Sequence, residues 1–326
     1  MKNTAIKKIG LFTSGGDAPG MNAAIRAVVR AAIYYGVEPV GIYRGYDGLV
    51  DGDFEAMDAR SVSNIIYRGG TMLKSARSAA FRTAEGRKKA YDQLQSHGID
   101  AMVAIGGDGT FTGANVFLQE FNFPAIGLPG TIDNDLSGTD FTIGYDTATN
   151  TVLHAIDAIR DTASSHNRLF FIEVMGRDSG FIALRSGLAA GVETILIPEM
   201  EMSIDELVQR LERNKKKSSS LIIVAEGGKS GGALEIAAKV KDKFSHYDTK
   251  VTVLGHVQRG GTPSCMDREI ASRMGVAAVE ALLKGERDKM VGIINNKIVL
   301  TPFMEVVNTP QAINLELIRV NEILNI

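Results

Sequence analysis

A short apolar run, a glycine-rich turn and a helical pattern follow one another repeatedly along the chain. Residues 9–13 form the first run, residues 14–20 form the turn, and residues 21–35 space Ala, Ile and Val by three or four positions, as an amphipathic helix does. Apolar runs that end in glycine-rich turns recur at residues 101–105, 125–128, 169–174, 221–225 and 251–254. Continuously apolar strands that alternate with helices are typical of parallel sheets covered on both faces. The pattern therefore predicts an α/β fold.

The glycine-rich turns all follow predicted strands, which puts them at one edge of a parallel sheet. Ligands of such sheets bind beyond the carboxyl ends of the strands. Glycines alone would be explained by tight connections between strands and helices. The six turns also carry Asp, Arg, Thr and His, and this combination favours a binding site over a purely structural role.

The composition agrees with turns whose backbone is left uncovered by side chains. The chain of 326 residues has 35 glycines, only 8 prolines and 44% apolar residues. The glycines follow no G-X-Y period, which excludes collagen, and the apolar content predicts a large core rather than long disorder. The length fits two domains or one large α/β unit.

Charge, cysteine content and hydropathy indicate the expected partners and the cellular compartment. The formal net charge of −2 gives no overall attraction to nucleic acid or to a membrane, and we expect neither as a partner. The single cysteine, Cys265, excludes an internal disulfide framework and fits a reducing compartment. There is no signal-peptide core and no run of about 18 apolar residues, so we expect a cytoplasmic protein.

The turn at residues 106–110 has phosphate-binding chemistry without a standard nucleotide fingerprint. A Walker A loop ending at residues 228–230 would need glycine where Ile223 stands, and Thr112 breaks the nearest G-x-G-x-x-G run. Successive glycines before a helix nevertheless expose backbone N–H groups to an anion. Asp108 would repel phosphate unless Mg²⁺ intervenes, and Mg²⁺ binds one or two carboxylates together with phosphate oxygens. A turn or a helix cap is the structural alternative for Asp108.

Two carboxylates and several cations extend this chemistry. Asp133 and Asp135 lie two residues apart after an apolar run, which suits a general base and a supporting charge or metal contact, although an Asp-rich loop cap is the alternative. We expect positive charge to collect at the same turns, on Arg77, Arg168, Arg177, Arg259 and His256. Phosphoryl transfer between two anionic substrates needs a base, Mg²⁺ and cations around the spread charge.

Several motifs together resemble one known family. They lie at residues 13–23, 68–71, 75–77, 106–109, 127–135, 175–177 and 255–261. Gly-Gly-Asp-Gly also occurs in lipid and NAD kinases, whereas Pro-Gly-Thr-Ile-Asp-Asn-Asp in company with the others is highly specific. Over nearly its whole length the chain resembles the bacterial-type ATP-dependent 6-phosphofructokinases.

The resemblance implies an architecture. Members of the family have two Rossmann-like three-layer α/β domains with mainly parallel sheets, the active site in the cleft between them, and a homotetrameric assembly with sites shared between subunits. The implied larger, ATP-binding domain spans 1–143 and 258–308. The implied smaller, fructose 6-phosphate-binding domain spans 144–257 and 309–326.

The resemblance also implies a reaction and its residues. MgATP would phosphorylate the 1-hydroxyl of fructose 6-phosphate, with Asp133 as base, Asp108 on Mg²⁺, and Arg77, Arg177 and Thr131 assisting. The nucleotide would contact Gly16, Arg77, Ser78, Gly107, Asp108, Gly109 and Thr110. The sugar would be held by Thr131, Ile132, Asp133, Met175, Gly176, Arg177 and Glu226, and its 6-phosphate by His256, Arg259 and, from a neighbouring subunit, Arg168 and Lys250.

Two glycines predict the phosphoryl donor. Diphosphate-using relatives carry Asp where this chain has Gly109 and Lys where it has Gly130, and a carboxylate at position 109 would repel the α-phosphate of ATP. We therefore expect ATP as donor. The alternatives are a diphosphate-dependent enzyme and a non-catalytic nucleotide-sensing subunit. Two positions depart from the family: Lys250 replaces its usual arginine and loses the bidentate fork, and residues 178–181 differ beside the sugar-binding motif.

Regulation is a further expectation. In bacterial relatives ADP activates and phosphoenolpyruvate inhibits at a subunit interface. The matching positions are Arg26, Arg30, Arg160, Glu193, Lys215 and Lys217. Ala59 and Asn64 stand where some relatives have an arginine and an acidic partner, and Arg26 and Arg30 would otherwise be a basic face of the first helix.

Overall fold

The computed structural model describes residues 6–165, 168–213, 220–244 and 248–325, and the chain divides into two compact units. The first unit consists of Met1–Ile132, Leu136–Thr147 and Arg259–Gln311, and the second of Asp133–Asp135, Ala148–Gln258 and Ala312–Ile326. The chain thus passes from one unit to the other several times. The domain boundaries implied by the family resemblance stay predictions.

Strands and helices alternate over most of the described chain. The strands are β1 (Lys8–Thr13), β2 (Glu38–Ile42), β3 (Phe54–Ala56), β4 (Ala101–Gly106), β5 (Ala125–Pro129), β6 (Arg168–Val174), β7 (Thr194–Leu196), β8 (Ser220–Ala225), β9 (Asp248–Val253), β10 (Lys289–Ile294) and β11 (Lys297–Pro302). The α-helices are α1 (Met21–Tyr34), α2 (Tyr46–Asp51), α3 (Ala84–Ser96), α4 (Asp108–Phe121), α5 (Tyr145–Ser164), α6 (Phe181–Ala190), α7 (Ile204–Arg213), α8 (Ala233–Lys243), α9 (Cys265–Leu283), α10 (Phe303–Asn308) and α11 (Leu315–Leu324). Short 3₁₀ helices cover Ala80–Arg82 and Gly255–Arg259. No helix within the described ranges is long and apolar enough to cross a bilayer.

The first unit is built on a seven-stranded sheet in the order β11-β10-β5-β4-β1-β2-β3. The pairs β2/β1, β1/β4, β4/β5 and β5/β10 are parallel, whereas β3 and β11 are antiparallel strands at the two edges. The strands β4 and β5 are buried at every residue, as their continuously apolar sequences predict. Because β1, β4 and β5 are neighbours, the loops that follow them emerge side by side.

The second unit is built on a four-stranded sheet in the order β7-β8-β6-β9, with parallel pairing throughout. The strand β8 is wholly buried, while β9 forms an edge with partly exposed residues. The predicted α/β fold with mainly parallel sheets is confirmed. The strand predicted from residue 251 begins three residues earlier, at Asp248, because polar residues are tolerated where an edge strand meets solvent.

A buried carboxylate in the first unit determines where α5 begins. Asp267 on α9 is fully buried and accepts hydrogen bonds from Gly144 N (2.8 Å) and Thr147 N (2.8 Å). It also accepts one from the Thr147 hydroxyl. These donors belong to the first turn of α5, whose N–H groups have no partner within the helix. Burial raises the pKa of the Asp267 carboxyl, although these hydrogen bonds act in the opposite direction.

Candidate active site

The loops after β1, β4 and β5 are joined by backbone hydrogen bonds in the first unit. Ser14 N donates to Ile105 O (2.9 Å), and Gly130 N donates to Gly106 O (3.0 Å). The next residues along the chain, Thr131 and Ile132, are buried. The structure therefore brings three of the predicted glycine-rich turns together at the carboxyl edge of one sheet.

The amino terminus of α4 presents bare backbone. Gly107 precedes the helix, Asp108 and Gly109 begin it, and Thr110 is buried beneath. Among the described residues, a Cβ added to Gly109 would meet no heavy atom within 4 Å. The first N–H groups of a helix lack intrahelical partners and favour negative charge. This helix end is suited to an anion as large as a polyphosphate.

Asp108 is the carboxylate at this helix end, and its side chain is partly exposed. No group of three or more His, Cys, Asp and Glu side chains in the described part of the chain could hold a metal ion without help from a ligand. Mg²⁺ commonly takes one or two carboxylates and completes its shell with phosphate oxygens and water. Asp108 therefore fits a magnesium ion that arrives with a polyphosphate.

The segment with Arg77 and Ser78 is fixed by the Ser78 hydroxyl and by Arg87, a residue without a signal in the sequence. Ser78 Oγ accepts a hydrogen bond from Phe81 N (3.2 Å) at the 3₁₀ helix. The guanidinium of Arg87 donates to the carbonyls of Phe81 (3.1 Å) and Arg82 (2.9 Å). Arg77 itself is exposed. The exposed side chain of Arg77 is thus carried by a segment whose following residues, 78–82, are held in place.

A bidentate ion pair secures Arg87 in that position. Its Nε and Nη2 each lie 2.6 Å from an oxygen of Glu120 on α4. The hydrogen bonds of this pair raise the pKa of Arg87 and lower the pKa of Glu120. The planar fork of arginine matches a carboxylate in this way, and lysine cannot reproduce it.

Gly16 and Arg259 are brought together in the first unit. The Arg259 Nη1 donates to Asp17 O (3.2 Å), and a Cβ on Gly16 would overlap the guanidinium. Sequence reasoning had assigned these residues to different substrates. The structure gives Gly16 a packing reason that does not involve a ligand: its missing side chain leaves room for Arg259.

Asp133 is connected to the loop that contains the predicted sugar-binding residues 175–177 in the second unit. Its side chain is buried, and the hydroxyl of Ser179 lies 3.3 Å from Asp133 O and 2.9 Å from Gly176 O, either of which can accept its hydrogen bond. Asn134, next along the chain, has a left-handed backbone with φ of 54°. Ser179 is itself buried. It lies in the stretch 178–181, next to the predicted sugar-binding residues, and contacts the backbone of the candidate base.

The loop from Met175 to Gly180 is held by acceptors from other loops. Its backbone N–H groups donate at three points: Met175 to Gln258 Oε1 (3.2 Å), Arg177 to Glu226 Oε1 (2.9 Å) and Gly180 to Glu199 Oε1 (2.9 Å). Glu226 was a predicted site residue, whereas Gln258 and Glu199 were not. Glu199 has no local sequence signal, whereas Gln258 lies inside the motif at residues 255–261, although its contact with Met175 N does not follow from that motif.

Arg177 has an unusual backbone. Its φ of 56° is left-handed, which is uncommon for a residue with a long side chain. The contact from Glu226 and the close approach of Gly227, whose added Cβ would overlap Arg177 O, hold it there. The side chain is 62% exposed and has an ion pair of 3.6 Å with Asp178. The guanidinium is thereby presented to solvent on a constrained loop.

The structure corrects the expected position of one cation. Arg168 begins β6 and therefore lies at the amino edge of the smaller sheet, whereas Met175–Arg177 and Glu226 follow the carboxyl ends of β6 and β8. Lys250 lies on β9 near the same amino edge. His256 is exposed on the 3₁₀ helix beyond the carboxyl end of β9. Arg168 precedes an apolar run rather than following one, so it is not part of a glycine-rich turn.

Comparison with known proteins agrees with these motifs. Residues 8–282 match the phosphofructokinase family. A protein of Cytophaga hutchinsonii named ATP-dependent 6-phosphofructokinase is 56% identical over 322 residues, which cover 98% of each chain. The chain belongs to the phosphofructokinase family.

Solved phosphofructokinases share the fold. The structure of phosphofructokinase from Saccharomyces cerevisiae has a TM-score of 0.86 and 41% identity, over 93% of this chain and 45% of that one. A pyrophosphate-dependent phosphofructokinase from Marinobacter aquaeolei has a TM-score of 0.84 at 23% identity, over 95% of this chain and 86% of that one. The second likeness shows the fold alone. The phosphoryl donor of a phosphofructokinase must therefore be argued from residues rather than from fold.

The predicted regulatory residues of this phosphofructokinase have different surroundings. Arg26 and Arg30 border a surface groove of about 340 Å³ between α1 and α9, which Tyr34 also lines. Burial and the charge of Arg30 lower the pKa of Arg26. Two guanidinium groups at one groove attract an anion.

Two other predicted regulatory residues, Arg160 and Glu193, form hydrogen bonds with backbone atoms of neighbouring segments. Arg160 donates to the carbonyls of Ala190 and Gly191, and Glu193 Oε2 accepts from Leu221 N (2.6 Å). Both therefore stabilise the connection between α6 and β7. Lys215 and Lys217 lie outside the described residues.

Proposed function

We propose that this chain is an ATP-dependent 6-phosphofructokinase, which transfers the terminal phosphoryl group of ATP to the 1-hydroxyl of fructose 6-phosphate. The products are fructose 1,6-bisphosphate and ADP. The observation that carries the proposal is the α4 amino terminus, where Gly107 and Gly109 leave N–H groups bare beside the carboxylate of Asp108. The name of the Cytophaga relative supports both the donor and the acceptor.

The nucleotide would be bound by the first unit. Backbone N–H groups at residues 107–109 donate to phosphate oxygens, and the open space at Gly109 admits them. Gly16, Arg77 and Ser78 complete the nucleotide contacts. Asp108 holds Mg²⁺, which, when bound, neutralises charge on the phosphates.

The acceptor hydroxyl would be activated by Asp133. The 1-oxygen attacks the terminal phosphorus, the bond from that phosphorus to the bridging oxygen breaks, and ADP leaves with the electron pair. Asp133 takes the proton that the hydroxyl loses. Arg77 and Arg177 stabilise the charge that spreads over the transferred group, and Thr131 orients the acceptor.

The sugar phosphate would be recognised by both polar and charged groups. The ring is held by Thr131, Ile132, Met175, Gly176, Arg177 and Glu226. His256 and Arg259 bind the 6-phosphate. Arg168 and Lys250 reach that phosphate from a neighbouring subunit of a homotetramer, which their position at the amino edge of β6 and β9 supports.

The proposal is tested by a coupled assay for fructose 1,6-bisphosphate with ATP and with diphosphate as donors at matched Mg²⁺. We expect turnover with ATP to be the faster. Faster turnover with diphosphate would make the chain a diphosphate-dependent enzyme. Absence of turnover with either donor would favour a nucleotide-sensing subunit.

Regulation by nucleotide and by phosphoenolpyruvate would use Arg26, Arg30, Arg160, Glu193, Lys215 and Lys217. The anion-favouring groove at Arg26 and Arg30 supports it. Saturation curves for fructose 6-phosphate should then shift to lower concentrations with ADP and to higher ones with phosphoenolpyruvate. Curves that coincide in the presence and absence of both compounds would contradict regulation.

A further inference from the structure

Three charged side chains converge at the amino edge of the smaller sheet. Arg168 on β6 and Asp248 on β9 are directly opposite each other in the parallel ladder. Lys250 lies two residues further along β9, so it shares a face with Asp248. The Lys250 Nζ is 2.9 Å from Asp248 Oδ2, and the Arg168 Nε is 3.6 Å from the same oxygen. One carboxylate oxygen therefore lies between the two cations.

The surroundings of Asp248 are positive. Its hydrogen bond with Lys250, together with the charges of Lys250, Arg168 and Lys241, lowers the pKa of the Asp248 carboxyl. The carboxylate is therefore ionised at neutral pH, and three cations act on one negative charge. The cluster of Arg168, Lys241, Asp248 and Lys250 keeps positive charge for an incoming anion.

The guanidinium of Arg168 also has an N–H group without a hydrogen-bond partner among the described residues. Within the described ranges, its Nε is shielded from solvent and has no hydrogen-bond partner, since 3.6 Å to Asp248 is too long for one. Its Nη1 makes only a long contact of 3.5 Å with Thr162 Oγ1. Shielded donors without partners are costly, and a multiply charged oxyanion would satisfy them.

The cluster cannot serve the sugar loop of its own subunit. Arg168 and Val174 are the two ends of β6, so at roughly 3.3 Å per residue about 20 Å separates Arg168 from the loop that begins at Met175. This separation agrees with action on the phosphate ester of a neighbouring subunit. The inference that follows rests on the proposed function in this respect.

We propose that Asp248 competes with the 6-phosphate of the substrate for Arg168 and Lys250 and thereby sets the affinity for fructose 6-phosphate. In the absence of substrate, the carboxylate occupies both cations. Exposed ion pairs are weak, and a phosphate dianion offers more charge and more acceptor oxygens. The substrate therefore displaces Asp248, and the displacement appears as a higher KM.

The variant Asp248→Asn tests the competition. We expect the KM for fructose 6-phosphate to fall about three- to tenfold, as loss of two exposed ion pairs implies, and kcat to stay within about twofold. Asp248→Glu keeps the charge and should keep a KM near that of the parent. As a binding readout without turnover, fructose 6-phosphate should raise the melting temperature of Asp248→Asn at lower concentrations than it does for the parent.

The same substitution in a chain that already lacks Lys250 separates competition with the substrate phosphate from a structural role of Asp248. In a Lys250→Met chain, the gain from Asp248→Asn should shrink, because one of the two cations that the carboxylate occupies is already gone. Asp242→Asn, which removes an exposed carboxylate from α8, is the matched control and should leave KM unchanged.

Two results would overturn the inference: an unchanged KM in Asp248→Asn, or a raised one, since a rise means that the carboxylate positions the cations rather than occupying them. The proposed function fails separately, if the parent chain does not phosphorylate fructose 6-phosphate at all. A parent that does so, together with an Asp248→Asn variant of unchanged KM, removes only the role of Asp248.

Discussion

Asp133→Asn should lower kcat by about 10²- to 10⁴-fold, the range that a positioned general base contributes. The amide has nearly the shape of the carboxylate but cannot take the proton of the 1-hydroxyl. Because Asp133 is buried, an isosteric change is safer for the fold than truncation. The KM for fructose 6-phosphate should change only a few-fold, since binding does not require proton transfer. Steady-state kinetics with both substrates varied measures the two effects.

The variant Asp135→Asn is the comparison that decides which of the two carboxylates is the general base. It removes the same charge two residues away in the same loop, and it should reduce kcat far less. A larger loss in Asp135→Asn than in Asp133→Asn would reverse the assignment of the base. Near-parental turnover of Asp133→Asn would remove this residue from proton transfer altogether.

Gly109→Asp should reduce kcat/KM for ATP by at least about tenfold, since only 1.4 kcal/mol of repulsion is needed for that factor. The structure makes this variant informative, because in the described part of the chain an added Cβ at Gly109 meets no atom within 4 Å. An acidic residue in the first turn of α4 is also favourable to the helix. The melting temperature should therefore stay near the parental value while the use of ATP falls.

Gly109→Ala separates charge from bulk. It adds the Cβ without the carboxylate and should leave kcat/KM for ATP within a few-fold of the parent. Equal losses in both variants would show that space, not charge, decides the effect, and no loss in either would show that Gly109 does not face the nucleotide. Gly130 is less suitable for this test, because its Cβ would lie 3.0 Å from Ile105 Cγ2 and Met21 Cε.

The parts of the fold that the sequence predicts well are those with a strong local pattern. The runs that form β1, β4 and β5 are mostly apolar and lead into glycine-rich turns, so both their type and the edge at which their loops emerge follow from elementary rules. The hairpin of β10 and β11 was not predicted. Its two-residue turn, Asn295-Asn296, has φ of 49° and 62°. Asparagine tolerates such positive φ values, so two adjacent asparagines between apolar runs are a sequence signal for a hairpin.

The parts of the site that escaped prediction depend on contacts between distant segments. Ser179, Glu199 and Gln258 contact backbone atoms of other segments, and these contacts do not follow from the local sequence. The sequence analysis places Arg168 with the glycine-rich turns, although it precedes an apolar run. Because Arg168 is the first residue of β6, it lies at the amino edge of the smaller sheet. At that edge it forms an ion pair with Asp248.

The position of β10 has a consequence for biosynthesis. It pairs with β5 in the larger sheet, yet all four strands of the smaller sheet lie between the two in the chain. A nascent chain that has emerged only as far as β9 already holds every strand of the smaller sheet, while β5 still exposes an open edge. Open edges of apolar strands invite pairing with other chains. Vectorial synthesis thus leaves the seven-stranded sheet incomplete after the four-stranded sheet has all its strands, and the open edge of β5 lasts until β10 emerges.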